Sequence, residues 1–183
     1  MKKLLIIIAV MAAAVSMVSC VDDTTEDKYK EWRNANQAWL KTQTQMLDEK
    51  GNPFYTAVVP VWDPEAKVYV HWFNDPEKTK DNLSPLYTST IDVKYIGRIY
   101  TGEAFDSSYV STSPADSVRR FALNNTIEGW GAALTRMHIG DSCRILIDYP
   151  QGYGIYSMGD IIKPYSVLQF DVKLVDIYKY ENF

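Results

Sequence analysis

The sequence predicts an α+β fold, in which an antiparallel β-sheet curls around a short α-helix and is preceded by an N-terminal helix. Apolar and polar residues alternate with period two over residues 91–99, 143–149 and 168–174, which is typical of half-buried strands. Two other stretches, 29–47 and 126–137, repeat apolar residues at helical spacing. Because several strands need cover for their apolar face, we expect the helix at 126–137 to lie across the sheet.

The first 19 residues have the composition of a secretory signal. Lys2 and Lys3 precede an apolar run that is shorter than the ~20 residues a membrane-spanning helix needs. The run ends in Met17-Val18-Ser19-Cys20, which resembles the lipobox of bacterial lipoproteins, where the cysteine is acylated. We therefore expect residues 1–19 to be a lipoprotein signal peptide and Cys20 to anchor the chain in the cell envelope, periplasmic or surface-exposed. Ordinary signal cleavage is the alternative, since the motif usually has leucine at Met17.

Residues 20–28 hold four acidic side chains and two threonines, a composition that predicts a solvated tether. These charges resemble a surface-export signal of some bacteria, although any solvated linker would carry them too. The helix predicted at 29–47 contains Trp32 and Trp39, and burying each is worth roughly 2 to 3 kcal/mol. We expect them to pack on this chain's own sheet, and the alternative is a partner or dimer helix.

Two short β-prone runs, residues 56–62 and 67–73, predict a β-hairpin. A charged loop follows the second run. We therefore assign residues 29–87 to an extension made of the N-terminal helix and this hairpin, and residues 88–183 to the main domain.

Charge and cysteine content exclude several classes of function. Loss of Lys2 and Lys3 with the signal would reduce 19 basic residues to 17, against 23 acidic ones, a net charge of about −6, so nucleic acid is not an expected partner. If Cys20 carries lipid, Cys143 has no disulfide partner and is expected to be a small buried strand residue. The two histidines lie far apart in the sequence, and neither has another candidate ligand at metal-binding spacing, so neither a metal nor a cofactor is expected.

A series of short motifs occurs in order between residues 90 and 177, roughly half of the chain. The motifs are Tyr95-Ile96-Gly97-Arg98, Gly102, Phe105-Asp106-Ser107-Ser108, Phe121-Ala122-Leu123, Ile127-Glu128-Gly129-Trp130, Met137, Gly140, Tyr153-Gly154 and Leu168-Gln169-Phe170-Asp171-Val172. In order and spacing the series resembles the FKBP-type peptidyl-prolyl isomerases, whose bacterial envelope members often have a helix leading into the domain. The resemblance implies that residues 88–183 form an isomerase domain with an aromatic pocket, between helix and sheet, that takes a proline ring.

The resemblance implies four catalytic side chains, which are Tyr95, Phe105, Asp106 and Tyr153. Tyr95 and Phe105 look like aromatic walls, and Tyr153 looks like the hydroxyl that hydrogen-bonds a substrate carbonyl. Asp106 looks like the carboxylate near the reacting amide, although an aspartate before serines also suits a turn. For each aromatic residue the plainer interpretation is a buried core position.

The resemblance also implies six substrate-binding residues, which are Thr126, Ile127, Trp130, Ile161, Ile162 and Phe170. Trp130 looks like the floor of the pocket, Phe170 like a further wall and the backbone N–H of Ile127 like a donor to the substrate. Thr126 stands where the family commonly has a valine.

Two further departures from the family's most active pattern also lie at the pocket. Arg119 stands where the family often has an aromatic wall, and the segment 107–119 is about four residues longer than usual. The run Ile161-Ile162-Lys163-Pro164 replaces the Ile-Pro-Pro common in the family. Arg119 or Arg120 would pair with Asp106 and hold its carboxylate charged.

The implied function is that of an enzyme which accelerates rotation about X-Pro bonds in exported, proline-containing polypeptides. That rotation faces a barrier of about 18 to 20 kcal/mol and requires no nucleophile, metal or cofactor. The alternative is a binding module of the same fold that holds such segments, or one fixed partner, without useful turnover. The departures at Arg119 and at residues 161–164 favour this alternative. A hydrolase is not indicated, because there is no nucleophile elbow or metal motif.

Overall fold

The computed structural model describes residues 24–111 and 117–179 of the 183-residue chain. The expected signal peptide, residues 1–19, and Cys20 lie outside these ranges. The described part of the tether forms one exposed helical turn, α1 (Thr25–Lys28), which the side chain of Thr24 caps. Across the described ranges, no helix combines the length and the apolar character needed to cross a bilayer.

One seven-stranded sheet, in which all pairs are antiparallel, forms the body of the molecule. Its strands are β1 (Thr56–Val58), β2 (Val68–Trp72), β3 (Thr90–Ile99), β4 (Ala104–Ser107), β5 (Arg119–Ala122), β6 (Ser142–Ile147) and β7 (Leu168–Ile177). Their spatial order is β1-β2-β6-β7-β3-β4, and β5 pairs with the first half of β3 while β4 pairs with the second half. The three predicted alternating strands are confirmed as β3, β6 and β7. The predicted hairpin is confirmed as β1 and β2, and it extends the sheet through pairing of β2 with β6.

The predicted short helix is present as α4 (Glu128–Leu134), and a small helix, α3 (Ser108–Ser111), follows β4. Residues 129–134 of α4 are all buried against the core of the sheet. The helix is shorter than the expected 126–137 at both ends, and at its beginning the Thr126 hydroxyl donates instead to the carbonyl of Leu123 in the preceding turn (2.7 Å). Met137 is fully buried as its spacing predicted, although it lies beyond the last helical turn.

The predicted N-terminal helix is present as α2 (Lys30–Thr44), and part of it covers the opposite face of the sheet. Leu40 packs with Tyr55, Leu146 and Val167, while the flanking residues of β6 point toward α4. Trp32 and Trp39 are both partly buried against this chain, as expected. The sheet is therefore covered on both faces.

Strand β6 also carries Cys143, which is fully buried as the sequence predicted. Its Sγ lies 3.8 Å from Sδ of Met137. Burial, which disfavours the thiolate, raises the pKa of this thiol well above its ordinary value.

Two glycines let α4 lie close to its neighbours. A Cβ at Gly129 would lie 2.5 Å from Cγ2 of Ile147, a fully buried and rotationally stiff side chain. A Cβ at Gly131 would lie 2.7 Å from Cε2 of Tyr87, a residue that is 39% exposed and therefore less confined than Ile147. A side chain at position 129 would therefore meet a rigidly packed neighbour, whereas one at position 131 would not.

We expect Gly129→Ala to lower the free energy of unfolding by about 1 to 3 kcal/mol, the usual cost of overpacking a core. Gly131→Ala is the matched control, and we expect it to be within about 1 kcal/mol of wild type because alanine also favours a helix. Urea denaturation of both variants measures the difference. Equal effects at the two positions would contradict this account of the packing.

Candidate functional site

A cavity of about 320 Å³ opens between α4 and the sheet. Its lining residues are Tyr95, Phe105, Asp106, Phe121, Asn125, Thr126, Ile127, Trp130, Tyr153 and Phe170. Eight of the ten residues that the sequence assigned to the site are in this lining. The other two, Ile161 and Ile162, line an adjoining cavity of about 250 Å³ that shares Phe105, Asp106 and Tyr153 with the first.

Aromatic rings form the apolar part of the main cavity. Trp130, only 4% exposed, meets three rings edge-on, at centroid distances of 5.2 Å to Tyr95, 5.5 Å to Phe121 and 5.3 Å to Phe170. Edge-to-face contacts of this kind are the favoured geometry of aromatic pairs. The rings therefore hold the tryptophan in one orientation at the bottom of the cavity.

A glycine on β3 makes room for one wall of the cavity. Phe105 and Phe170 pack edge-on at 5.5 Å, directly over Gly97. A Cβ at Gly97 would lie 2.7 to 2.8 Å from ring carbons of both phenylalanines. The pair can therefore lie this close to the strand only because the residue beneath it has no side chain.

Asp106 forms the charged side of the cavity. Its Oδ2 accepts hydrogen bonds from the hydroxyl of Tyr95 (2.5 Å) and from Nη1 of Arg119 (3.1 Å). Arg119 Nη1 also donates to the Tyr95 hydroxyl (2.8 Å), which closes a three-membered network. Asp106 Oδ1 accepts from the backbone N–H of Ser107 (2.8 Å), the next residue of β4, and the carboxylate faces the cavity.

The two arginines that the sequence offered as partners of Asp106 have different roles. Arg119 makes the pair, with both side chains 40% exposed. Arg120 instead binds Asp92 through two hydrogen bonds, of 2.7 and 2.6 Å, and stacks on the ring of Tyr178. Of the two arginines, Arg119 is thus the one that joins the hydrogen-bond network of Tyr95 and Asp106.

Phe121 and Asn125 line the cavity but were not among the predicted site residues. Arg119 stands where the family often has an aromatic wall, and the ring that β5 contributes to the cavity is that of Phe121. The two residues are two apart in β5 and so share a face, with the Arg119 guanidinium 5.1 Å from the Phe121 centroid. The alternation of the strand was the signal that would have identified Phe121.

The two hydrogen-bond donors that the resemblance implies have no acceptor in the described part of the chain. They are the hydroxyl of Tyr153 and the backbone N–H of Ile127, the residue preceding the first turn of α4. Burial raises the pKa of the Tyr153 hydroxyl, and the nearby charge of Asp106 raises it further. The hydroxyl therefore stays protonated at neutral pH and is able to donate.

The indole N–H of Trp130 is buried without a partner within residues 24–111 and 117–179. The same ranges contain no group of three or more His, Cys, Asp or Glu side chains placed to hold a metal ion. The site thus offers apolar rings and hydrogen-bond donors. An arrangement of this kind can enclose one apolar ring and donate hydrogen bonds to acceptors beside it.

The family follows from comparison with known sequences. The profile of the FKBP-type peptidyl-prolyl cis-trans isomerases matches residues 84–175, about half of the chain. The chain therefore belongs to the FKBP-type peptidyl-prolyl cis-trans isomerase family.

Two curated relatives illustrate the match. The chain is 39% identical over 94 residues to the macrophage infectivity potentiator of Trypanosoma cruzi, covering 51% of this chain and 46% of that protein. It is 37% identical over 93 residues to the FKBP-type 22 kDa peptidyl-prolyl cis-trans isomerase of Escherichia coli, covering 51% of this chain and 43% of that protein. The matched region thus spans under half the length of these relatives.

Solved structures extend the likeness of fold beyond the matched sequence. A peptidyl-prolyl cis-trans isomerase from Pseudomonas syringae superposes with a TM-score of 0.63 at 21% identity, covering 81% of this chain and 95% of that one. FkpA from Escherichia coli gives a TM-score of 0.62 at 23% identity, covering 83% of this chain and 63% of that one. The predicted FKBP-like fold is confirmed.

A buried hydroxyl in the Asp106 network gives a pH-dependent stability. Burial and the hydrogen bond to Asp106 raise the pKa of Tyr95 well above its ordinary value. An unfolded tyrosine loses its proton near pH ~10, whereas the folded one keeps it, so stability is lost as pH rises above about 10.

We expect the free energy of unfolding of Tyr95→Phe to fall less than that of wild type between about pH 9 and 11. Denaturation at several pH values measures the two slopes. Tyr156 is 71% exposed, so Tyr156→Phe is the control and should keep the wild-type slope. A Tyr95→Phe slope equal to that of wild type would contradict the expectation.

Proposed function

We propose that the chain is a peptidyl-prolyl cis-trans isomerase that acts on proline-containing polypeptides and assists the folding of exported proteins. The observation that carries this proposal is the aromatic cavity with Trp130 at its floor and two unpaired donors, from Tyr153 and Ile127, at its edge. A volume of about 320 Å³ suits one proline ring with its flanking peptide groups.

Such a site accelerates rotation by binding the twisted amide better than the planar one. Twisting removes the amide resonance, which leaves less charge on oxygen and a more pyramidal nitrogen. An apolar cavity therefore disfavours the planar, more polar ground state relative to the twisted state. Preferential binding of the transition state is sufficient for catalysis, and no covalent step or proton transfer is required.

The roles of the residues follow from this chemistry. Trp130 and Phe170 would grip the proline ring, while the Tyr153 hydroxyl and the Ile127 N–H would bind carbonyls of the flanking chain. Fixing the chain on one side of the bond while the ring is held on the other allows rotation about that bond alone. In this scheme Asp106 is the charged group that lies nearest the reacting amide.

The remaining predicted residues would contact the peptide beyond the ring. Ile161 and Ile162 line the adjoining cavity, which would take the side chain next to the proline. Thr126 lies at the edge of the main cavity with its hydroxyl already donated to Leu123, so its methyl group remains for the ligand. These contacts would set which sequences bind.

A second candidate function is a binding module that holds proline-containing or unfolded segments without useful turnover. The observation that favours it is the Arg119 network, because Tyr95 and Asp106 already hydrogen-bond each other and Arg119. A substrate that needed either group would have to compete with these bonds. We do not propose dimerisation through α2, because both tryptophans of this helix pack against this chain.

Rates of cis-to-trans conversion of X-Pro test peptides distinguish the two candidates. We expect the chain from Val21 to accelerate the conversion, and Tyr153→Phe and Trp130→Ala to lower kcat/KM by about tenfold or more, since each removes contacts to the ring or the flanking chain. Tyr156→Phe is the matched control for the hydroxyl. Because Trp130→Ala also empties core volume, thermal unfolding must show that the variant is folded at the assay temperature.

The two outcomes of this assay separate the proposals. No acceleration by folded wild-type chain would exclude the isomerase. Binding of the same peptides in that case, measured by tryptophan fluorescence, would support the module instead.

We further propose that the chain is a lipoprotein of the bacterial cell envelope, anchored through Cys20. The support is the Met17-Val18-Ser19-Cys20 motif after an apolar run with two N-terminal lysines. A lipid on Cys20 would fix the isomerase to a membrane surface through residues 20–28.

We expect the full-length chain expressed in a bacterium to partition into detergent phase and Cys20→Ser to partition into the aqueous phase. Mass spectrometry of the N-terminal peptide should show acyl chains on Cys20 and removal of residues 1–19. Cys143→Ser is the matched control and should partition as wild type does. A wild-type chain in the aqueous phase would contradict lipidation.

A further inference from the structure

The segment between strands β6 and β7, residues 148–167, carries three residues of the proposed site. This β6–β7 loop contains Tyr153 at the main cavity and Ile161 and Ile162 at the adjoining one. The tip of the loop is exposed, with Tyr156 71% exposed and Met158 49% exposed, whereas Ile162 is buried and Tyr153 packs on the core. How the two ends of the loop are held therefore affects where Tyr153 lies.

Helix α2 contacts the beginning and the end of this loop at once. Gln37 Nε2 donates to Asp148 Oδ1 (2.7 Å) where the loop leaves β6. The guanidinium of Arg33 lies 5.6 Å from the ring centroid of Tyr149 and 5.1 Å from that of Tyr165, and these two rings pack edge-on at 5.2 Å. One side chain of α2 thus covers the point where the two ends of the loop meet.

A second set of bonds holds the end that enters β7. Asn36 is fully buried, its Oδ1 accepts from the backbone N–H of Val167 (2.8 Å), and its Nδ2 donates to the carbonyl of Trp32 (2.8 Å). Trp32 Nε1 donates to Oγ of Ser166 (3.1 Å), and that hydroxyl donates to the carbonyl of Lys163 (2.7 Å). Lys163 directly follows Ile162, so the chain of hydrogen bonds ends beside a residue of the proposed site.

Tyr165 transmits the contact to the other side of the loop. Its backbone N–H donates to the carbonyl of Gly154, the residue next to Tyr153 (2.9 Å). Tyr165 has φ +64°, a left-handed conformation that a residue with a large side chain rarely adopts without support. Arg33 and the ring of Tyr149 supply that support, since they pack on the Tyr165 ring.

From these contacts we infer that α2 is a positioning element of the active site, and that Trp32, Arg33 and Asn36 are its positioning residues. They hold the β6–β7 loop so that Tyr153, Ile161 and Ile162 face the substrate. The inference rests on the proposed isomerase function. It also assigns a role to residues 30–36, which precede the region that the family profile matches, 84–175.

The test compares two identical substitutions on one helix in the full-length protein. Trp32→Phe removes the indole hydrogen bond to Ser166 and keeps an aromatic ring. Trp39→Phe is the matched control, because in the described residues the Trp39 indole makes no hydrogen bond and packs against the cluster of Leu40, Tyr55, Leu146 and Val167. Arg33→Met is a second test variant. Because the Arg33 side chain is partly exposed, we expect this variant to fold.

Two readouts are needed, steady-state kinetics on an X-Pro peptide and hydrogen–deuterium exchange of residues 148–167. If the β6–β7 loop is loosened, the substrate must order it on binding, which lowers the apparent affinity for the substrate. Trp32→Phe and Arg33→Met should therefore raise KM about fivefold, with kcat nearly unchanged. Amides of the loop should exchange faster in both variants, while those of β3 and β7 stay as in wild type. Trp39→Phe should leave both readouts unchanged.

A double variant separates positioning from loss of general stability. If Trp32 acts through Ser166, the variant Trp32→Phe/Ser166→Ala should have the KM of Ser166→Ala alone. Independent effects that multiply would overturn the inference. Unchanged KM and loop exchange in Trp32→Phe and Arg33→Met would overturn it as well.

The design also distinguishes failure of the inference from failure of the proposed function. Absence of turnover in wild type would rule out the isomerase function. Hydrogen–deuterium exchange of residues 148–167 would then be the remaining test of whether α2 holds the loop. Turnover in wild type, with variants that match it in both readouts, would leave the isomerase standing and remove the role of α2.

Discussion

The close approach of α4 to strand β6 is the constraint on which the rest of the structure depends. The helix is one of the two that cover the sheet, and it can lie this near only because Gly129 has no side chain to meet Ile147. That approach brings Trp130, one position further along the helix, among the rings of the strands. The position of the cavity floor is therefore a consequence of core packing, and the same contacts stabilise the fold and shape the site.

Period-two alternation predicted β3, β6 and β7 because buried and more exposed residues alternate along most of each strand, although residues 145–147 of β6 are buried on both faces. It did not predict the ends of α4, where Thr126 hydrogen-bonds the preceding turn and Met137 is buried outside the helix. Apolar spacing reports burial, whereas helix ends depend on local hydrogen bonds that spacing does not contain.

At the site, eight of the ten predicted residues line one cavity, four of them on strands and four on α4, the segment before it and the β6–β7 loop. Phe121 was missed because Arg119 was taken in isolation, whereas strand geometry gives the two residues a common face. The choice between Arg119 and Arg120 as the partner of Asp106 depended on the same geometry. The support of the β6–β7 loop by α2 was beyond prediction, since contacts over more than 110 positions in sequence leave no local pattern.

The burial of Cys143 has a consequence for work in an oxidising compartment. Only a thiolate attacks a disulfide, and the fully buried thiol, with its raised pKa, neither ionises readily nor meets a partner. An exposed thiolate would instead attack a disulfide of another protein, forming a mixed disulfide and releasing the other sulfur of that bond as a thiolate. Burial in the core therefore protects the Cys143 thiol from this exchange.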